Sequence, residues 1–191
     1  MNLKQLFFQY RSYTPIPIAL FLIYNSSLTI SNVIIGGILI LFGESIRIRA
    51  VQYAGGATRT RKVGAPSLCS SGPYAFCRNP LYCGNVIIYT GFSILTVGYY
   101  SYIITLFVIT YFIIQYSFII TLEEETLIKK FGKDYTDYKD HVPALLPRLT
   151  KWDGNDNRSP INIIKTLKTE KRSLQNIVFT ILLIILNSVL L

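Results

Sequence analysis

The chain has 191 residues, 51% of them hydrophobic and only 15% charged, with a mean hydropathy of +0.39 and a formal net charge of +9. Those numbers exclude intrinsic disorder, and the apolar residues cluster into long runs of the kind found in integral membrane proteins. Three cysteines with no C-x-x-C pair, a single histidine (His141), no solenoid repeat and no Gly-X-Y period exclude a disulfide framework, an ordinary zinc site and a repeat or fibrous fold.

Five apolar segments follow one another. The first runs from about Pro15 to Ile30 and the second from about Val33 to Ile46. Both are short against the roughly 20 residues a helical span needs, and interfacial Tyr10, Tyr13, Ile48 and Tyr53 extend them. No small-x-small pattern follows Leu22, so the first segment reads as a retained helix. The third (Asn85 to Val97) and the fourth (Ser101 to Leu122) form a hairpin turning at Gly98, Tyr99 and Tyr100, and the fifth is Leu174 to Leu191. The expected fold is all-α, a polytopic membrane helix bundle of about five transmembrane helices. Its expected divisions are an N-terminal membrane hairpin (1–49), a cytoplasmic loop (50–84), a second membrane hairpin (85–122), a cytoplasmic helix and linker (123–173) and a C-terminal membrane helix (174–191).

Charge sets the orientation. Lys4 and Arg11 precede the first segment, and Arg47, Arg49, Arg59, Arg61, Lys62 and Arg78 fall in 47–83. The remaining basic residues all lie in 122–173, and the turns near 31–32 and 98–101 carry none. All 19 positive charges thus fall on one side, which reads as cytoplasmic. The expected protein sits in the cell inner (plasma) membrane, N-terminus inside and C-terminus outside. Orientation and contact with anionic headgroups account for the basic residues without a nucleic-acid partner.

Past the fourth segment, Leu127, Ile128, Phe131, Tyr135 and Tyr138 recur at helical spacing, predicting a helix whose apolar face lies on the bilayer or covers a site. Pro143 and Pro147 end that pattern, 150–160 is a polar linker, and 161–173 is a short basic amphipathic stretch at the interface.

Three groups of residues can carry chemistry. Arg78-Asn79-Pro80-Leu81-Tyr82-Cys83-Gly84 places a proline in the first turn of a helix, with free N–H groups and a guanidinium that suit an anion, although Arg78 and Tyr82 also read as interface anchors. Glu123 and Glu124, at the end of a membrane helix, call for water, a cationic ligand or Arg78. Glu44 and Arg47 have the spacing of a local ion pair, and Gly36, Gly37 and Gly43 permit close helix contact, a structural pattern. No nucleotide-binding glycine motif, zinc-protease motif or serine-nucleophile motif is present.

Four stretches, GESIRIRAVQYAG (43–55), SSGPYAFCRNPLYCGN (70–85), EEETLIKKFGKDYTDY (123–138) and VPALLP (142–147), together resemble the isoprenylcysteine carboxyl methyltransferase family of integral membrane methyltransferases, relatives of the phospholipid N-methyltransferases. The resemblance implies an S-adenosylmethionine-dependent methyltransferase whose cofactor enters from the cytosol and whose amphipathic, lipid-like acceptor arrives from the bilayer. Gly72, Pro73 and Tyr74 with Arg78, Asn79, Pro80, Tyr82 and Gly84 are implied as one wall of the cofactor site, joined by Glu123 and by Tyr135 and Tyr138 of the covering helix. Glu123, Glu124 and Arg78 are the implied catalytic residues, acting on a carboxylate or other lipid-like acceptor. The sequence departs from the family at Asn79, where a histidine is usual, and asparagine cannot become a cation. The alternatives are a phospholipid or amine N-methyltransferase, a non-catalytic membrane protein on the same fold, and an NADPH-dependent membrane reductase.

Overall fold

The computed structural model describes residues 2–56, 63–96 and 101–190. Among them are seven α-helices and no strand: α1 (Leu3–Tyr10), α2 (Pro15–Tyr24), α3 (Ile30–Ala54), α4 (Pro80–Thr96), α5 (Ser101–Phe131), α6 (Lys133–His141) and α7 (Ile163–Leu190), with a 3-10 turn at Gly72–Ala75. The protein is an all-α bundle. The hairpin turn expected at Gly98, Tyr99 and Tyr100 lies outside the described residues, as do Arg59, Arg61 and Lys62.

Local chemistry sets the helix limits. Pro15 opens α2, and the Asn25 side chain closes it by donating to the Phe21 carbonyl at 2.8 Å. Thr29 caps α3, its Oγ1 accepting from the Asn32 N–H, and Pro80 opens α4. The helix expected past Glu123 is two helices: Gly132 stands at φ +56, a left-handed conformation that ends α5 and re-aims the chain into α6. Conversely, the stretches expected as separate (161–173 and 174–191) form the single helix α7, because no Gly or Pro falls between them.

Helices α3 and α4 are antiparallel and their backbones touch. A Cβ on Gly36 would lie 2.6 Å from the Gly91 carbonyl, and one on Gly43 would lie 2.7 Å from that of Gly84. Glycine at these positions lets two helices approach more closely than any side chain would allow. Gly37, expected to share that role, has nothing within 4 Å of its would-be Cβ and faces away. Phe92, Leu95, Phe112, Tyr116 and Ile119 fill the adjoining core.

Helix α1, which the hydropathy pattern does not announce, lies along α5 with Phe7 stacked on Phe118 at 5.3 Å and Lys4 bonded to Glu125 at 2.6 Å. Helix α2 continues toward the opposite end of the bundle, where Ser27 N–H donates to Thr96 O (2.7 Å) and Asn187 Nδ2 donates to Ser26 Oγ (3.0 Å). There α2 hands over to α3, α4 ends and α7 terminates. The other end gathers the close of α3, the start of α4 and the Glu123–Glu125 turn of α5. The start of α7 joins them there, Ile161, two residues before it, donating N–H to Gln52 O at 2.8 Å. Two helices, Tyr102–Phe131 and Ile163–Leu190, are long and apolar enough to cross a membrane. Large apolar side chains point outward on α3 (Ile34, Ile38, Leu41), α5 (Leu106, Phe107) and α7 (Phe179, Leu182). Exposed apolar area of this extent marks a surface made for lipid or partners.

Candidate functional site

Where α4 begins, the backbone turns through Arg78 and Asn79 and meets residues 142–145. Arg78 N–H donates to Pro143 O at 2.9 Å, and Asn79 Nδ2 donates to Ala144 O at 3.1 Å. Asn79 also uses its own carbonyl, which accepts the N–H groups of Tyr82 (3.0 Å) and Cys83 (3.1 Å). Of the first-turn N–H groups expected to be open to an anion, that of Tyr82 is therefore occupied, and the Cys83 bond is the first regular bond of the helix.

The guanidinium of Arg78 has three partners, one carboxylate and two backbone carbonyls. Its Nη2 and Nε reach Glu124 Oε1 at 2.6 and 3.0 Å. Its Nη1 donates to the carbonyls of Lys139, at 2.8 Å, and of Val142. Lys139 Nζ meets the other Glu124 oxygen at 2.9 Å. One carboxylate from α5 thus ties the start of α4 to the end of α6, with Arg78 and Glu124 side chains 9% and 11% exposed. Charges this buried are tolerated because each is paired and the remaining donors are used.

Glu123 is held differently. Its Oε1 accepts from the Tyr82 hydroxyl at 3.0 Å, and the Tyr82 ring stacks on Tyr116 at 4.6 Å. Glu124 therefore faces two cations, while Glu123 takes its hydrogen bond from a neutral hydroxyl. Glu125, the third of the run, points outward to Lys4.

Behind this centre lies a buried network. Arg47 donates to Glu44 Oε2 (3.2 Å), to Asn85 Oδ1, to Glu170 Oε2 (2.6 Å) and to Ser173 Oγ (2.8 Å). Asn85 Nδ2 in turn donates to the Tyr116 hydroxyl at 3.1 Å. An unbroken series of contacts, Glu170–Arg47–Asn85–Tyr116–Tyr82–Glu123, links α7 to the carboxylate. The Glu44–Arg47 pair is the one expected from its spacing. Glu170, Ser173 and Asn85 were not expected, although Glu170 stands out as the lone carboxylate among Lys165, Lys168, Lys171 and Arg172.

The remaining predicted residues form the wall and the cover. Gly72 stands at φ +60, with the Tyr53 ring 2.5 Å from its would-be Cβ, so only glycine fits there. Gly84 packs on Gly43 and on the Arg47 stem. Tyr135 and Tyr138 of α6 are buried with Val142 against Leu68, Leu127 and Trp152, so the apolar face covers the loop below it. The Tyr138 hydroxyl donates to the Tyr74 carbonyl at 2.7 Å. Burial pushes the phenols of Tyr74, Tyr135 and Tyr138 upward and the Cys69 thiol up to about 11, so all stay protonated at neutral pH. Tyr138→Phe is expected to cost about 1 kcal/mol, because Tyr74 loses its donor while the ring packing survives. Thermal unfolding in detergent measures this, and an unchanged midpoint would show that the bond contributes nothing. A cavity of about 620 Å³ takes Gly72 and Pro73 into its lining, but Arg78, Tyr82, Glu123 and Glu124 stand outside it.

The bond between Arg78 and Glu124 joins two of the four motif stretches, and the chain around them, residues 31–134, matches the model of the family described as "Phospholipid methyltransferase". The chain belongs to the phospholipid methyltransferase family. Among curated members of the wider group, mouse protein-S-isoprenylcysteine O-methyltransferase is 32% identical over 117 residues, 59% of this chain and 40% of the relative. The corresponding yeast (Saccharomyces cerevisiae) protein is 30% identical over 118 residues, 60% of this chain and 48% of the relative. The cobalt-zinc-cadmium resistance protein CzcN of Cupriavidus metallidurans is 32% identical over 88 residues, 46% of this chain and 39% of that protein. This phospholipid methyltransferase family chain spans less than half the length of these curated relatives. No solved structure matches it.

Proposed function

We propose that the protein is an S-adenosylmethionine-dependent methyltransferase of the membrane, acting on a carboxylate or another lipid-like acceptor. The observation that supports this reading is the Arg78–Glu124 clamp with Tyr82–Glu123 beside it, made by the motif residues that carry the family likeness. The donor set fits the cationic part of such a cofactor: Glu123 offers a carboxylate, and the stacked Tyr82 and Tyr116 rings offer an aromatic face. When bound, S-adenosylmethionine would supply a methyl group already activated by its positive sulfur. The chain's own work is then to hold charge and align the acceptor. Glu124, saturated by Arg78 and Lys139, holds the wall together. Glu123 would face the cation, and Tyr82 fixes where its carboxylate points. Asn79 would contribute position only, since it serves the Ala144 carbonyl and cannot gain a proton.

A carboxylate acceptor needs no base. An amine acceptor, the second reading, must lose a proton, and Glu123 is the group suited to take it. Transfer of a labelled methyl group separates the two, because a methyl ester releases methanol in base and an N-methyl group does not.

The same architecture supports a placement in the membrane. Five crossings, made by α1 with α2 in series and by α3, α4, α5 and α7, would leave the N-terminus and the basic loops in the cytoplasm of the inner (plasma) membrane and the C-terminus outside. The end formed by residues 24–30, Thr96 and 187–190 carries no Lys or Arg, in keeping with the positive-inside rule.

Equilibrium binding of S-adenosylmethionine to protein in mild detergent tests the reading, with NADPH beside it. Saturable binding is expected, weakened about tenfold in Glu123→Gln, which keeps the acceptor for Tyr82 but loses the charge. Its melting temperature should not change. A folded protein that binds NADPH, or neither ligand, would sink the proposal.

A further inference from the structure

The 620 Å³ cavity is not part of the Arg78–Glu124 centre, and its construction gives it a charge of its own. Its walls come from three places: the end of α3 (Ser45, Ile46, Arg49, Tyr53), the turn at Gly72, Pro73 and Phe76, and the linker before α7 (Lys151, Asp156, Asn157, Arg158). The linker lies beyond residues 31–134, so a third of the lining residues fall outside the region that matches the family. Its size falls within the roughly 300–1,000 Å³ of small-ligand sites.

Three cations and one carboxylate line it, and the carboxylate is committed to the wall. Asp156 Oδ2 accepts from the Ser70 N–H at 2.8 Å and from the Ser71 hydroxyl at 3.1 Å, and its Oδ1 accepts from Arg158 Nε at 3.2 Å. Arg158 is equally committed, donating through Nη2 to Ser67 Oγ at 3.1 Å and to the Leu68 carbonyl. These bonds make the linker a fixed wall. They also cancel Asp156 against Arg158, which leaves Arg49 and Lys151. Arg49 is exposed, donates to Gln52 Oε1 at 2.8 Å and has no carboxylate partner among the described residues. Lys151 has an exposed pairing with Asp153 at 3.2 Å, of the kind that contributes little. Two available cations, one from α3 and one from the linker, together with Ile46, Pro73, Phe76 and Tyr53 in the same lining, suit an anion attached to something apolar.

Position narrows the ligand further. Ser45 lies one helical turn from Leu41 and Phe42, which are 73% and 55% exposed and belong to the outward apolar surface of α3. A phosphate held by Arg49 and Lys151 could therefore continue into acyl chains lying along that surface.

We propose that this cavity is a binding site for a phosphate-bearing anion, distinct from the Arg78–Glu124 centre although it shares the Gly72–Pro73 turn with the implied cofactor wall, and independent of whether that centre binds S-adenosylmethionine. The source is either an anionic lipid headgroup or a soluble phosphate. Native mass spectrometry of the detergent-solubilised full chain, titrated with phosphatidylglycerol or phosphatidylcholine, tests the first. Melting temperature in rising inorganic phosphate tests the second. Wild type should retain one phosphatidylglycerol about tenfold more tightly than phosphatidylcholine, and the Arg49→Gln/Lys151→Gln double variant should lose that preference. The double variant Lys168→Gln/Lys171→Gln removes the same charge from α7 and should keep it. If inorganic phosphate raises the melting temperature of wild type but not of the cavity variant, while the lipids bind alike, the site takes soluble phosphate. Equal binding of both lipids with no response to phosphate would overturn the proposal, as would a preference that survives in the cavity variant or disappears equally in the α7 variant.

Discussion

Truncating Arg47 to alanine is expected to cost about 3–5 kcal/mol. Arg47 is 8% exposed and bonds to Glu44, Asn85, Glu170 and Ser173, so one guanidinium joins α3, α4 and α7. Removing it deprives two buried carboxylates of their shared cation, and Glu170 is only 1% exposed. The cost comes mainly from what stays behind. Replacing all three charges (Arg47→Met, Glu44→Leu and Glu170→Leu) should therefore recover most of the stability, since a well-packed apolar substitute often matches a buried ion network. Unfolding of both variants in the same detergent decides the matter. If the triple variant is no better than the single one, the network is not held by charge.

The second large effect distinguishes two adjacent glycines. Gly36→Leu should push α3 off α4, with a cost of 3 kcal/mol or more, beyond the roughly 1–3 kcal/mol typical of overpacking. Its first side-chain atom alone would fall 2.6 Å from the Gly91 carbonyl and 2.7 Å from Leu95 Cβ, and a backbone carbonyl cannot move aside as a flexible side chain can. Gly37→Leu should be neutral or slightly stabilising, because nothing lies within 4 Å and leucine prefers a helix to glycine by several tenths of a kcal/mol. Yield of folded protein and thermal midpoint measure both. Similar behaviour of the two variants would show that α3 and α4 do not meet at this face.

That contrast shows what the chain discloses about itself and what it withholds. The three glycines of α3 are equally visible in the sequence, but which of them faces α4 depends on the rotation of one helix against another, which no local pattern encodes. The motif residues Arg78 and Glu124 could be expected to meet because their stretches are recognisable. Lys139 could not, because its reach to Glu124 depends on the break at Gly132 that turns α6 back. Tyr135 and Tyr138 keep helical spacing with Leu127 and Phe131 across that break, so the apolar face was legible while the interruption was not. The linker 150–160 reads as solvated polar chain. Its Asp156 is nonetheless bonded to Ser70 and Ser71, a contact across 86 positions that composition cannot reveal. Glu170 is the sharpest case: its lone negative charge among basic neighbours is visible within the helix, but its partner is 123 residues away.

That separation has a consequence in time. During synthesis Glu170 leaves the ribosome long after Arg47, on the order of ten seconds later at ordinary elongation rates. Once α4 has been made, its glycine face can pair with that of α3, but the guanidinium between them then has only Glu44 and Asn85 to hold. The nascent chain thus carries, inside a half-built bundle, a guanidinium that lacks two of its hydrogen-bond partners, Glu170 and Ser173, until α7 arrives. Arrival of α7 supplies Glu170 and Ser173, so the guanidinium that joins α3 to α4 is fully held only when a helix made more than a hundred residues later has docked.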